Sequence, residues 1–141
     1  MTDKLTIADY PLAETRSAEI KGRRGKSLDD ITLEAVMAGD IIMEDLRITP
    51  HALADQAEIS RAANRPTLAL NFERAAELVN VPQDFIMSAY ELLRPGRAKS
   101  KDQLLEVATM FRQTYKADRM AEFIEEAADV YERRGLFTYR F

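Results

Sequence analysis

The chain has 141 residues, 46% of them hydrophobic, which suits one compact domain or one subunit of a larger assembly. It has no cysteine, which excludes disulfides and thiolate metal sites, and its formal net charge of −4 argues against a nucleic-acid partner, because phosphate binding favours a basic surface. No apolar run reaches the length of a transmembrane helix and the first twenty residues lack the apolar core of a signal peptide, so we expect a cytoplasmic protein that does not bind membranes.

Residues 1–27 predict an extended or irregular N-terminal arm, because they contain a proline and two glycines and show no sustained helical period. Tyr10 precedes Pro11, which favours an extended backbone at Tyr10. The basic, glycine-containing stretch from Lys21 to Lys26 predicts a solvated turn. The arm has few local contacts of its own, so we expect it to become ordered only by lying along a partner.

Residues 28–141 predict a compact helical domain of about five to six helices, so the expected fold class is mostly α. Capping and breaking residues divide this domain in chain order: 29–39 capped by Ser27 or Asp29 and stopped by Gly39, 50–63 capped by Thr49, 66–80 from Pro66, 82–94 from Pro82, 101–115 capped by Ser100, and a last helix from about 118 to the residues before Gly135. In the first of these helices we expect Ile31, Val36 and their apolar neighbours to face inward.

The third predicted helix carries two apolar faces. One is a stripe at helical spacing: Phe72, Ala75, Ala76 and Val79. The other lies off that stripe: Leu70 and Leu78, beside Asn71 and Arg74. A small solvated helix needs one apolar face, so the second is covered either by a neighbouring helix of the same chain or by another subunit.

No group of residues predicts an active site. His51 is the only histidine and lies in the first turn of its predicted helix, where we expect an exposed, neutral side chain. The stretch from Gly22 to Ser27 lacks the spacing and the preceding strand of a phosphate loop. Acidic pairs such as Glu125–Glu126 diverge by about 100° on a helix, so they seldom converge on one substrate.

Several arginines lie beside helix ends or apolar stripes: Arg47, Arg61, Arg65, Arg74, Arg94 and Arg97. Arginine is favoured for partly buried pairing with carboxylates, and it is also enriched in subunit interfaces. The sequence leaves open whether these side chains form intrachain salt bridges or contact a partner.

Five segments appear in the order of one known family: DYPLA (9–13), GKSLDDITLEAV (25–36), RIT (47–49), NFERAAELVNVP (71–82) and LRP near residue 94 with Arg97 beyond. Over about residues 9–133 the chain resembles the small, or gamma, subunit of adenosylcobalamin-dependent diol and glycerol dehydratases.

The resemblance implies a mostly helical subunit with no catalytic, cofactor-binding or metal-binding residue of its own. It implies large (alpha) and medium (beta) partner subunits in a dimer of heterotrimers, which converts 1,2-propanediol or glycerol to an aldehyde by a radical mechanism. Adenosylcobalamin is then held by the other subunits. The complex would be cytoplasmic, either free or enclosed in a bacterial microcompartment.

We expect the partner interface to contain ten residues: Tyr10, Pro11, Leu12, Arg47, Leu70, Asn71, Arg74, Leu78, Arg94 and Arg97. The alternative function is a free-standing helical adaptor without enzyme activity.

Three features depart from the family pattern. Gly96, Arg97 and Ala98 follow the LRP segment, where the family usually has an aromatic residue and then Arg-Ser. The chain ends in an aromatic tail, and it lacks the N-terminal extension of many diol-type members, so its length is more similar to the glycerol-type members.

Overall fold

The computed structural model describes residues 3–138, and this part of the chain is largely helical, which confirms the mostly α prediction. Its α-helices are α1 (Leu12–Thr15), α2 (Leu33–Ala38), α3 (Met43–Leu46), α4 (Pro50–Ala62), α5 (Pro66–Leu78), α6 (Gln83–Leu93), α7 (Lys101–Tyr115) and α8 (Asp118–Arg133). The described residues contain no strand, only one antiparallel bridge between Lys21 and Ser27. Within the same residues, no helix is both long enough and apolar enough to cross a membrane.

The chain divides into two compact units, the first ending at Val79 and the second beginning at Asn80. The boundary predicted from the sequence, between an arm of residues 1–27 and a domain of residues 28–141, stays a prediction.

Helices α4 and α5 form the centre of the first unit. The side-chain oxygen of Thr49 accepts the N–H of Ala52 at 3.1 Å, and Pro50 is the first helical residue, as the sequence predicts. Ala57 of α4 and Ala69 of α5 are fully buried, and such small side chains let the two helices pack closely.

Residues 3–27 are not one extended segment. They form short turns and α1, and Leu5, Leu12 and Ile20 pack on Ile59 of α4. The N–H of Leu5 also donates to Glu58 at 3.0 Å. The arm is therefore ordered by contacts within the chain, because three aliphatic residues spread along it can be buried together on one helix. The extended backbone expected at Tyr10 is present, with φ −91° and ψ 136°.

The first predicted helix differs most from its expectation. Residues Leu28–Asp30 form a separate 3-10 turn, and α2 begins only at Leu33, with Thr32 as its N-cap. Gly39 ends α2 in the left-handed conformation, with φ 81°, as predicted. The expected inward-facing position of Val36 is wrong, because α2 is a six-residue helix without a buried residue.

Helices α7 and α8 form the core of the second unit. The buried side chains include Leu104, Ala108 and Phe111 on α7 and Ile124 and Ala128 on α8, which recur at helical spacing and form one buried face on each helix. The ring of Phe85 on α6 lies 4.8 Å from that of Phe111 between centroids. Of the aromatic C-terminal tail, residues 139–141 lie outside the described residues.

Candidate subunit interface

The N-terminal arm supplies one exposed and one buried candidate. Tyr10 is 62% exposed, and with Ile7 it borders a groove of about 340 Å³ beside α4 and α5. Pro11 is partly exposed. Leu12 is only 6% exposed, because it packs against Leu5 and Ile59, so it belongs to the chain's own core and has little surface to offer a partner.

Asp9 fixes the backbone around Tyr10. Its carboxylate accepts the N–H of Thr6 at 2.8 Å and the Nε–H of Arg16 at 2.8 Å. The backbone hydrogen bond first, and the Arg16 bond second, hold the pKa of Asp9 below its ordinary value. The charged form of Asp9 therefore maintains this turn at neutral pH.

Helix α5 keeps part of its second apolar face exposed. Its buried side carries Ala69, and Glu73 pairs there with Arg61 of α4 at 2.5 Å. On the other side Leu70 is 38% exposed and Leu78 is half-buried. Arg74, on this side, donates to the side-chain oxygen of Asn71.

The remaining candidate arginines lie at the surface, two of them in pairs between neighbouring residues. Arg47 contacts Glu44 at 3.0 Å, and Arg94 contacts Glu91 at 3.1 Å. Exposed pairs of this kind contribute little to stability, about 0.5 kcal/mol each. Arg97 is exposed in the segment after α6, and both Arg94 and Arg97 belong to the second unit.

The largest run of exposed apolar side chains among residues 3–138 lies elsewhere, in a segment of which the sequence interpretation expected only Val36 and its apolar neighbours to face inward. We call it the 33–48 surface, and it consists of Leu33, Val36, Met37, Ile42, Met43, Leu46 and Ile48. All seven side chains are at least 45% exposed, and Met37 reaches 79%. Monomeric proteins rarely expose so many neighbouring apolar residues unless the surface binds something.

The shortness of α2 and α3 explains why the inward-facing position expected for Val36 is wrong. Hydrophobic periodicity assigns an apolar face to the core when a helix is long enough to have a distinct outer face. Helices α2 and α3 span only six and four residues, and Ile41 and Asp45 are the buried residues of this segment. The sequence itself contains an indication of this exposure. Leu, Ile and Met are so frequent around Gly39 that two short helices cannot bury all of their side chains.

The basic turn beside this surface is not simply solvated. Arg24 contacts Asp45 at 2.7 Å, and Arg23 contacts Glu44 at 3.5 Å. Asp45 also accepts the N–H of Ile42 at 2.9 Å, which caps the start of α3. The turn therefore fixes α3 by two ion pairs.

His51 is 79% exposed at the start of α4, as expected, and its Nε2 lies 3.4 Å from a carboxylate oxygen of Asp55. Burial raises the pKa of Asp55 above its ordinary value, and the nearby His51 opposes that shift. Among residues 3–138, no three His, Cys, Asp or Glu side chains converge as a metal site would require. This geometry therefore provides one ion pair at the surface, between His51 and Asp55.

Comparison with known proteins identifies the family of the chain. The family described as "Dehydratase small subunit" matches residues 5–138. The chain is 45% identical over 128 residues to the propanediol dehydratase small subunit of Citrobacter freundii, which covers 91% of this chain and 74% of that protein. It is 44% identical over 128 residues to the propanediol dehydratase small subunit of Salmonella typhimurium, covering 91% and 73% respectively.

Proposed function

The chain belongs to the dehydratase small-subunit family, and we propose that it is the non-catalytic small subunit of an adenosylcobalamin-dependent diol or glycerol dehydratase. The observation that carries this proposal is the similarity to two propanediol dehydratase small subunits across 91% of the chain. The names of both relatives favour 1,2-propanediol as the substrate of the assembled enzyme, with glycerol as the alternative.

We assign the cofactor to the partner subunits, because the residues of this chain do not fit a cobalamin site. The only histidine, the usual nitrogen ligand for a transition metal, is 79% exposed at the start of α4 and lies beside the carboxylate of Asp55. When bound to the other subunits, adenosylcobalamin would supply the radical chemistry that removes water from the diol.

The role of this chain is then to bind the large subunit and stabilise it in a dimer of heterotrimers with the medium subunit. Exposed apolar side chains in the first unit support this role, since permanent complexes have more apolar interfaces than transient ones. The candidate residues that keep exposed surface remain proposed contacts: Tyr10, Leu70, the half-buried Leu78, and the arginines Arg47, Arg74, Arg94 and Arg97. We place the complex in the cytoplasm, free or within a microcompartment.

Purification from the native host tests this function. The full-length chain carrying an affinity tag should retain a large and a medium dehydratase subunit, which mass spectrometry identifies, and the eluate should dehydrate 1,2-propanediol once adenosylcobalamin is added. The tag alone, expressed from the same promoter, is the control. Retention of other proteins without any dehydratase subunit would instead support the free-standing adaptor.

A further inference from the structure

We propose that residues 3–20, which form most of the N-terminal arm, act as a pH-sensitive strap on α4. We call this segment the strap. It loosens at neutral pH and tightens as the pH falls towards about 5. The inference concerns contacts within the chain, so it goes beyond the proposed function and does not depend on it.

The strap is held on α4 by a narrow apolar contact. Leu5, Leu12 and Ile20 pack with Ile59 of α4. Two cavities, of about 240 and 210 Å³, adjoin this contact, and Leu12, Ile20 and Asp55 line both of them. Since a water molecule occupies about 30 Å³, each cavity has room for several. The strap therefore packs incompletely against α4, and Asp55 borders space beneath it that water can enter.

The larger cavity is lined by acidic side chains from both the strap and α4. Asp3 and Glu19 belong to the strap, and Asp55 and Glu58 belong to α4. Like charges that meet in partly buried space repel each other more strongly than they do in water. Glu58 also attracts the strap, because its carboxylate accepts the N–H of Leu5 at 3.0 Å. The repulsion among the four carboxylates opposes this bond and the apolar contact.

Positive charges on the strap side offset this repulsion only in part. Arg16 lines the larger cavity, but its guanidinium already pairs with Asp9 at 2.8 Å and with Glu19 at 3.4 Å, both within the strap. Lys21 follows the strap, is exposed, and lines the smaller cavity. At neutral pH, negative charge therefore exceeds positive charge where the strap meets α4.

Asp55 is the group whose charge this arrangement opposes. Its side chain is 25% exposed, and burial raises its pKa above the ordinary value, to which the charges of Glu58 and Glu19 add. The charges of Arg16 and of a protonated His51 oppose the shift. Because the folded pKa is raised, the charged carboxylate costs stability above that pKa, and the cost disappears as the pH falls through it towards 3.8.

His51 changes the charge of the same region in the same direction. It lines both cavities, and its Nε2 lies 3.4 Å from a carboxylate oxygen of Asp55. A histidine ordinarily gains a positive charge as the pH falls from about 8 to 5. Acidification thus adds positive charge and removes negative charge between the strap and α4. Opening of the strap at neutral pH would expose the apolar side chains of Leu12 and Ile59.

Hydrogen exchange tests the inference, because the amide of Leu5 donates to Glu58 on α4 and so reports docking of the strap directly. The sample is the tagged full-length chain, purified from the native host with the subunits it retains, and mass spectrometry follows a peptide that contains residues 3–12. At pH 7.5, Asp55→Asn should slow exchange of this peptide about threefold or more relative to wild type, because it removes the opposed charge. At pH 5.0 the two chains should differ less.

Two further variants separate the cavity from general effects of charge. Glu126→Gln is the matched control, since it also removes one carboxylate charge but from an exposed position on α8, and it should exchange like wild type at both pH values. His51→Gln should exchange like wild type at pH 7.5 and about twofold faster at pH 5.0, because it cannot gain a positive charge. Comparing chains at the same pH cancels the intrinsic pH dependence of exchange.

Three results would overturn the inference. Equal or faster exchange in Asp55→Asn at pH 7.5 would mean that the charge of Asp55 does not oppose docking. A matching decrease of exchange in Glu126→Gln would mean that the net charge of the chain, and not the cavity, controls the strap. In wild type itself, which needs no variant to fold, the ratio of intrinsic to measured exchange rate should rise from pH 7.5 to pH 5.0, and a constant or falling ratio would refute the pH dependence.

Discussion

Arg112 and Glu125 join α7 to α8 through a two-point ion pair. The second of its hydrogen bonds, from Nη2 to Oε2, is 3.0 Å long. The Arg112 hydrogen bond holds the pKa of Glu125 below its ordinary value of 4.5, although burial opposes the shift. Because the folded pKa is lowered, the stabilisation is fully present above about pH 4.5 and is lost as the pH falls through the folded pKa.

We therefore expect Glu125→Gln to lower the free energy of unfolding at pH 7 by about 0.5–1 kcal/mol, a small value because both side chains are partly exposed. At pH 3 the variant and wild type should have nearly equal stability. Urea unfolding at the two pH values measures the difference, with Glu126→Gln on the exposed side of α8 as the control. An equal loss at both pH values would mean that Glu125 acts through packing and not through its charge.

At the scale of elements, the arm and α4 depend on one small aliphatic cluster. Leu12 is buried against Ile59 and Leu5. Leu12→Ala should therefore lower the free energy of unfolding by about 2–3 kcal/mol, as is typical for truncating a buried leucine. Leu33→Ala, at an exposed position of α2, should change it by less than about 0.5 kcal/mol.

Urea unfolding followed by circular dichroism measures both effects. Deleting residues 1–13 should reduce the stability of α4 and α5 by at least as much as Leu12→Ala, since it also removes Leu5. If the deletion leaves the unfolding midpoint unchanged and only weakens assembly, the arm is ordered by a partner, as the sequence alone suggested.

Comparing individual elements shows which of them could be predicted from the sequence. The starts of α4 and α7 agree with the structure, because Thr49 and Ser100 cap them through their own side chains and the following stripes are long enough to define one buried face. The arm and α2 could not be predicted in this way. The apolar residues of these two elements are few and irregularly spaced. Whether such a residue is buried therefore depends on whether a helix distant in sequence packs against it.

At the scale of the whole molecule, exposed apolar area should control the behaviour of the isolated chain. Expressed without partners, it should be poorly soluble or self-associate, and it should have no dehydratase activity. Co-expression with the large and medium subunits should raise the soluble fraction several-fold.

Sedimentation velocity and the ratio of soluble to total protein measure this effect. The variant Leu33→Lys with Met37→Lys should raise solubility of the isolated chain, because it replaces two of the most exposed apolar residues, whereas Met110→Lys should have a smaller effect. A wild-type chain that is a soluble monomer at high concentration would count strongly against the subunit role.

The sequence by itself determined the helical class, the long helices and the family, because capping residues, hydrophobic periodicity and ordered motifs are local properties of the chain. It left open whether a neighbouring helix of the same chain or another subunit covers the second apolar face of α5. Only the tertiary structure decided which apolar side chains are exposed. Leu12, predicted for an interface, is buried on α4, while Val36, predicted for the core, is exposed. Burial depends on which distant elements meet, and the local pattern of a six-residue helix carries no information about that.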